Sequence, residues 1–362
     1  MKWFWRLLGA VLAVLVALVA VTPTGRYLVR AAWAEGRILA HRRPIADLVA
    51  DSAIAPATRA KLRLVLAARR YAADSLGLRV GESFTTYSRL DRDTLVLVLS
   101  AAQRDTLAPF RWWFPVVGWV PYKGYFDFEG AKRAERDLQQ KELDTYLRPS
   151  SAFSTLGWFN DPLLSSTLRA DSTFLANTVI HELTHNTFYA PGQAVFNESF
   201  ANFVGSRGAQ RFFLVRGDTA LARQSEDDWE NEKLLGAFWG AVAHQLDSAY
   251  AAHRGSRAGR LAARDSVYAR ARLALVHDVG PRLRHVPVAA LARMRLDNAS
   301  LLARRIYLTH LELFDEVLAR ERDDLPRAVQ RLISLARSRP ADPYGAIRDW
   351  LGQPPSATES TT

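Results

Sequence analysis

The sequence contains no cysteine among its 362 residues. This absence excludes disulfide bonds, thiolate zinc sites, thiol nucleophiles and lipid attachment at a cysteine. Lysine is also scarce, since 6 of the 48 basic residues are lysine and the rest are arginine. The arginines are spread over many predicted helices, and no zinc-finger, basic-zipper or RNA-recognition pattern accompanies them. We therefore expect no nucleic-acid partner, in spite of the net charge of +11.

Histidine is scarce as well, but two of the 8 histidines stand four residues apart in the run His181-Glu182-Leu183-Thr184-His185. On a helix, side chains with this spacing leave the same face one turn apart. Apolar residues interleave with the polar ones, as in a half-buried amphipathic helix. Two imidazoles so placed bind one Zn²⁺, and Glu182 lies beside the open coordination position. The run predicts a zinc site with Glu182 as general base.

A hydrolytic zinc site needs a third protein ligand as well as a vacant position. In one class of site this ligand is a histidine six residues after the second histidine, a position that Pro191 occupies here. The other arrangement uses a glutamate on a following helix. Glu198 lies 13 residues after His185, just beyond a Pro-Gly turn. The predicted ligands are therefore His181, His185 and Glu198, and Asn202, one turn later, is placed to orient a ligand imidazole.

Four motifs in a fixed order also resemble a known family. They are the aromatic run of residues 113–126, the run of residues 154–164, the HELTH run and the NESFANF run of residues 197–203. Together they resemble the bacterial predicted zinc aminopeptidases, HExxH proteins of gluzincin type, over roughly residues 30–350. NESFA is also similar to the NEGFA run of alanyl-type aminopeptidases, whose glutamate is the third zinc ligand. One departure is Gly205, where the family pattern leads us to expect an acidic residue.

The resemblance implies an α+β fold of gluzincin type. We expect a small mixed sheet on the N-terminal side, an active-site helix pair beneath it, and a helical C-terminal lobe. By analogy, Tyr307 is the candidate donor to the oxyanion. An edge strand before the metal helix would pair with the peptide substrate, which makes Ser154 and Gly157 substrate-binding candidates.

The same resemblance implies removal of residues from the free N-terminus of peptides. Such an enzyme must bind the substrate ammonium, yet the GxMEN loop that alanyl-type enzymes use is missing. Asp161 is the nearest substitute, although Asn-Asp-Pro is also a good turn sequence. Two alternatives stay open: a membrane-anchored zinc endopeptidase of the cell envelope, and a non-catalytic envelope interaction protein with a vestigial site.

The N-terminal stretch has the composition of a membrane anchor. Residues 7–25 include no charged residue over 19 positions, and Lys2 and Arg6 precede them. This length is near the lower limit for crossing a bilayer. No small-residue cleavage site follows closely, which favours an uncleaved signal anchor over residues 1–25 above a cleaved signal peptide. Together with the resemblance, this predicts an inner-membrane protein whose catalytic domain faces the periplasm or the exterior.

The remaining chain divides into a zinc metallopeptidase domain over residues 26–340 and a C-terminal extension over residues 341–362, disordered at its end. Hydrophobic periodicity predicts helices in the first third of the domain and strands in its middle. After Gly205 the pattern is almost wholly helical and includes one long helix over residues 300–320. The predicted elements before that point are helices at residues 26–40, 56–78 and 128–143 and strands at residues 84–87, 94–99, 145–147 and 152–155.

Overall fold

The structure is a computed structural model that describes residues 22–92, 94–114, 118–150 and 160–354, together with residues 2–7 and residue 9. Helices dominate it. In chain order they are α1 (Pro23–Ala40), α2 (Ile45–Ala50), α3 (Pro56–Asp74), α4 (Phe128–Gln140), α5 (Ser165–Leu168), α6 (Ser172–Thr187), α7 (Ala194–Val215), α8 (Thr219–Ala252), α9 (Arg257–Ala274), α10 (Val288–Ala292), α11 (Asn298–Arg305), α12 (Leu311–Arg320), α13 (Leu325–Ser338) and α14 (Pro343–Leu351). A π-helical turn at Leu275–Val279 and a 3₁₀ turn at Gly280–Arg282 follow α9.

The strands are short and form small sheets. They are β1 (Arg43–Pro44), β2 (Thr86–Ser88), β3 (Val96–Ala102), β4 (Trp112–Phe114), β5 (Gly118–Val120), β6 (Tyr122–Tyr125), β7 (Asp144–Ser150) and β8 (Leu163–Leu164). The order β1-β2-β8 combines an antiparallel and a parallel pair, while β6-β3-β7 is antiparallel throughout and β4 pairs with β5. The α+β class expected from the sequence is confirmed.

The sheet β6-β3-β7 has two different faces because side chains alternate along each strand. Leu99 and Ala101 of β3 point to one face and pack with Leu138 of α4 in a small core. The register aligns Gly124, Val98 and Arg148 across the three strands, and likewise Tyr122, Ser100 and Tyr146. These residues share the second face, which α4 does not cover.

The largest core surrounds α3, α6 and α7 and extends to α12, α13 and α14. Its centre is aromatic: Phe196 stacks on Phe200 with ring centroids 5.7 Å apart, and Phe203 stacks on Phe314 at 5.5 Å. Burial of each such ring stabilises the fold by roughly 1.5–3 kcal/mol. Since three of these rings belong to α7, the position of that helix is strongly determined by packing.

Most predicted elements agree with the structure, but the long helix over residues 300–320 is wrong. The chain forms α11 and α12 with a break at residues 306–310, and His310 enters α12 with a positive φ of 54°. Side chains of α7 bind the backbone of this break. Ser199 donates to the carbonyl of Ile306 at 3.3 Å and accepts from the Thr309 N–H at 3.2 Å. Local periodicity cannot reveal a break that side chains from another helix stabilise.

At each end of the chain, the structure describes only some of the residues. The predicted anchor over residues 1–25 lies largely outside the described residues, as do residues 355–362 of the C-terminal extension. Within the described residues, no helix is both long and apolar enough to cross a membrane. Helix α14 lies beyond the predicted domain boundary at residue 340 and adds Tyr344 and Ile347 to the large core.

Candidate functional site

Helix α6 presents the HExxH run. It begins at an N-cap, Asp171, whose side chain accepts a hydrogen bond from the Phe174 N–H at 2.9 Å. Val179, Ile180 and Leu183 are fully buried in the large core and settle which face of the helix points inward. The opposite face therefore carries the two histidines towards a cleft.

The turn between α6 and α7 returns the chain to the same cleft. Gly192 has a positive φ of 77°, which glycine adopts without steric cost. Asn197 then ties the turn to the start of α7: its amide donates to the carbonyl of Ala190 and its side-chain oxygen accepts from the Ala190 N–H, both at 2.8 Å. This clamp positions the next residue, Glu198, opposite the histidines.

The three predicted ligands converge. The Nε2 atoms of His181 and His185 are 3.2 Å apart, and Oε2 of Glu198 lies 3.4 Å from the first and 3.7 Å from the second. In tetrahedral zinc sites, bonds of about 2.0–2.2 Å place ligand atoms about 3.3–3.6 Å apart. The donor set and its spacing therefore fit Zn²⁺. Among the described residues, this trio is the group of three His, Asp or Glu side chains with converging ligand atoms.

Electrostatic coupling inside the trio is strong. Burial by itself raises the pKa of Glu198, but the two neighbouring imidazoles outweigh it and leave this pKa below its ordinary value. Burial lowers the pKa of His185, whereas the carboxylate of Glu198 raises it, and the net shift is upwards. The carboxylate of Glu198 therefore stays ionised beside the imidazole nitrogens, and a bound cation would be stabilised by this negative charge.

Glu182 lies on the same cleft, between the two histidines in sequence. Its Oε2 atom is buried and has no hydrogen-bond partner among the described residues. An unpartnered carboxylate oxygen in such a place is costly unless a ligand or a water proton uses it. The position fits the predicted role of a general base.

A cleft of about 2670 Å³ surrounds the trio, and its opposite wall is the uncovered face of the sheet β6-β3-β7. Tyr122 and Arg148 project from this face, and Tyr307 comes from the break between α11 and α12. Burial, with the charge of Glu198, raises the pKa of Tyr307 to about 12, although Arg148 opposes the shift. The phenol of Tyr307 is therefore protonated at neutral pH and able to donate.

The whole arrangement can be compared with known proteins. A family model described as "Putative aminopeptidase" matches residues 26–343. The chain belongs to this family. No curated protein and no solved structure matches it at a significant level. The predicted membership of a putative aminopeptidase family is confirmed, and this family points to a peptidase.

In this member of the aminopeptidase family, Asn202 lies one turn after Glu198 as expected. Its amide donates to Oε2 of Glu232 on α8 at 2.9 Å and to the carbonyl of Tyr307 at 3.4 Å. Asn202 thus joins α7, α8 and the break that carries Tyr307. The orientation of a ligand imidazole by Asn202 stays a prediction.

Gly205, where the resemblance led us to expect an acidic residue, lies where α6 and α7 approach closely. A Cβ atom there would lie 2.5 Å from Oδ1 of Asn177 and 3.2 Å from Cβ of His181. No acidic side chain fits in this gap between α6 and α7. A carboxylate comes instead from Glu232, which hydrogen-bonds both Asn202 and Ser206 beside Gly205.

Of the three substrate-binding candidates, the structure describes Asp161. Ser154 and Gly157, with the strand predicted at residues 152–159, lie outside the described residues. Asp161 is buried: its carbonyl accepts from the Phe84 N–H at 2.9 Å and its N–H donates to Oγ of Ser83 at 3.3 Å. Its charge contributes to the raised pKa of His185, and the cleft lining does not include it.

Two residues of the cleft, Arg148 and Glu232, were not predicted from the sequence. Arg148 directly follows the strand predicted at residues 145–147, and Glu232 lies on a helix with many charged residues. Alternation along β7 groups Arg148 with Tyr146, but it does not say which face of the sheet is covered by α4. Helical spacing likewise groups Glu232 with Asp228 without indicating that this face of α8 meets α7.

Proposed function

We propose that the protein is a zinc-dependent aminopeptidase that hydrolyses N-terminal peptide bonds. The observation that carries this proposal is the set of ligand-atom separations of 3.2, 3.4 and 3.7 Å among His181, His185 and Glu198. Glu182 lies next to this set with an unpartnered carboxylate oxygen. Membership of the aminopeptidase family supports a peptidase, and the gluzincin-type fold belongs to the same proposal.

The chain supplies each group that peptide hydrolysis requires. Zinc, when bound, acts as a Lewis acid and lowers the pKa of a water at its open position. Glu182 takes the proton of the attacking water and returns it to the leaving amine. Tyr307 donates a hydrogen bond to the carbonyl oxygen as that oxygen gains negative charge. The carboxylate of Glu198 places a negative charge beside the two imidazoles in the partly buried site.

Exopeptidase action further requires a group that binds the substrate ammonium. Asp161 is the candidate from the sequence, and Glu232 also lines the cleft, where a bound ammonium would lower the raised pKa of its carboxyl group and ionise it. The residue that binds the amine is the one whose amide variant raises KM for a free peptide while leaving kcat almost unchanged. Asp161→Asn and Glu232→Gln therefore distinguish the two.

The test uses two peptides that differ only in N-acetylation, together with metal analysis of the purified protein. We expect about one zinc per chain, release of the first residue from the free peptide, and no reaction of the acetylated peptide. His181→Ala should lose both zinc and activity. Zinc-free wild-type protein that still cleaves would contradict the metal assignment.

The size of the cleft supports a second candidate, a zinc endopeptidase of the envelope with the same chemistry. A cleft of about 2670 Å³ has room for chain on both sides of the scissile bond. Cleavage of both peptides at one internal bond would select this alternative. A protein with bound zinc that cleaves neither peptide, nor longer unfolded chains, would instead favour the interaction protein.

A further inference from the structure

Two tyrosines approach the candidate metal centre from separate parts of the chain. Tyr307 comes from the break between α11 and α12, and Tyr122 comes from β6. Both line the cleft and both are partly buried. Burial and the charge of Glu198 raise the pKa of each phenol, and the charge of Tyr307 also raises the pKa of Tyr122. The cleft that both tyrosines line also contains the Glu198 carboxylate.

The sheet determines the direction of Tyr122. Tyr122, Gly124 and Arg148 share the face that α4 does not cover, because the register aligns them through β3. Gly124 allows Val96 to pack closely on this face, since a Cβ atom at position 124 would lie 3.0 Å from Cγ1 of Val96. The neighbouring Tyr125 points the other way and packs in the core behind the sheet.

Arg148 connects the two phenols. Its guanidinium lies 5.8 Å from the ring centroid of Tyr307 and hydrogen-bonds the phenol oxygen of that residue. Its charge also acts on Tyr122. An arginine that donates to a phenol oxygen leaves the phenol hydrogen available to another acceptor. Arg148 is thus placed to orient the hydroxyl of Tyr307 towards the cleft.

We propose that Tyr122 is a second catalytic hydrogen-bond donor, which acts with Tyr307 on the developing oxyanion, and that Arg148 is the residue that positions Tyr307. This inference rests on the proposed hydrolysis at the trio of His181, His185 and Glu198. Two donors aimed at one oxygen favour the tetrahedral geometry over the planar substrate, as in other oxyanion sites. No covalent step is assigned to either tyrosine.

A third tyrosine on the cleft, Tyr189, is less suitable. It is 39% exposed, and its side chain hydrogen-bonds Asn197 in the turn between α6 and α7. Removal of its hydroxyl should therefore disturb the turn and not the oxyanion. Six tyrosines line the cleft, and the assignment to Tyr122 rests on the sheet face that it shares with Arg148, the residue beside Tyr307.

The experiment measures binding as well as turnover on full-length zinc protein. A phosphinic peptide, whose tetrahedral phosphorus carries two oxygens, serves as a mimic of the transition state, and the product peptide serves as a ground-state ligand. Tyr122→Phe should weaken phosphinic-peptide binding and lower kcat by about 10²-fold, with product binding and zinc content unchanged. Tyr125→Phe, the matched control from the same strand, should alter none of these values.

Two further variants test the roles separately. Arg148→Met should lower kcat in the wild type but have little further effect in a Tyr307→Phe background, because a positioning residue acts through its partner. Arg148→Lys should restore part of the loss. Equal losses of phosphinic and product binding in Tyr122→Phe would overturn the proposal for Tyr122, and additive losses would overturn the role of Arg148. Inactive wild-type protein without zinc would instead count against the proposed function.

Discussion

In the run of residues 197–203, the candidate ligand Glu198 stands next to residues that hold the preceding turn and residues that pack in the core. Asn197 clamps the turn before α7, while Ser199 and Asn202 bind the backbone of the break that carries Tyr307. Phe200 packs in the aromatic core from the opposite side of the helix. A substitution at almost any of these positions therefore alters the candidate centre through its supports.

At the same scale, Glu182 provides the sharpest chemical test. Glu182→Gln keeps the size of the side chain and removes the base. We expect unchanged zinc content and a fall in kcat/KM of about 10²–10⁴-fold. Metal analysis and steady-state kinetics on one preparation check this result. Loss of zinc in Glu182→Gln would make the residue structural.

Glu232 should make stability depend on pH. Burial and the charge of Asp228 raise its pKa from 4.5 to about 8, against the opposing hydrogen bonds of Asn202 and Ser206. The folded protein therefore holds a proton that the unfolded chain releases above about pH 4.5. The stabilisation is complete below that pH and is lost as pH rises through 8, at about 1.4 kcal/mol for each pKa unit.

Glu232→Gln should flatten this dependence and be more stable than the wild type at pH 8.5. The measurement is the free energy of unfolding by urea between pH 5 and 8.5, with EDTA present so that metal binding does not contribute. Glu230→Gln is the control on the same helix, because Glu230 is half exposed and pairs with Lys233 at 2.8 Å. Parallel curves for wild type and Glu232→Gln would refute the prediction.

At the scale of elements, the close approach of α6 and α7 determines where the ligands meet. Gly205 is the contact point, since an added Cβ would lie 3.0 Å from the carbonyl oxygen of Asn177 as well as near His181. Gly205→Ala must displace the side-chain amide of Asn177 and shift the backbone of α6 by a few tenths of an ångström. We expect a loss of about 1–3 kcal/mol in the free energy of unfolding and weaker zinc binding.

Gly240→Ala is the matched control for this prediction. Gly240 is also a helical glycine, on α8, but an added Cβ there meets nothing within 4 Å. Helix propensity alone should stabilise that variant by up to about 1 kcal/mol. Urea unfolding and zinc titration of both variants give the comparison. A Gly205→Ala protein as stable as Gly240→Ala would contradict the argument from helix approach.

At the scale of the whole molecule, the family match begins at residue 26, next to the boundary predicted after the anchor. The anchor itself stays a prediction. We expect full-length protein to sediment with membranes and to resist extraction by alkaline carbonate. A variant beginning at residue 26 should be found in the soluble fraction with the same zinc content. Release of full-length protein by carbonate would refute the anchor.

Much of the site could be predicted from the sequence because its residues are close along the chain. His181, Glu182 and His185 are brought together by one helical turn, and Glu198 needs only the turn that Gly192 permits. The same locality predicted most helices and the α+β class. The break at residues 306–310 could not be predicted, because its backbone is bound by Ser199 and Asn202, about a hundred residues away.

The sequence by itself determined the family and predicted a metal site and a general base, since these depend on residue type and short spacing. Only the tertiary structure decided which distant residues line the cleft around the predicted zinc site. Arg148 belongs to the cleft because α4 covers the other side of its sheet, and Glu232 meets Asn202 because α8 packs on α7. Which faces pack together is set by the burial of apolar area summed over many distant residues. A local sequence pattern therefore cannot predict which faces pack together.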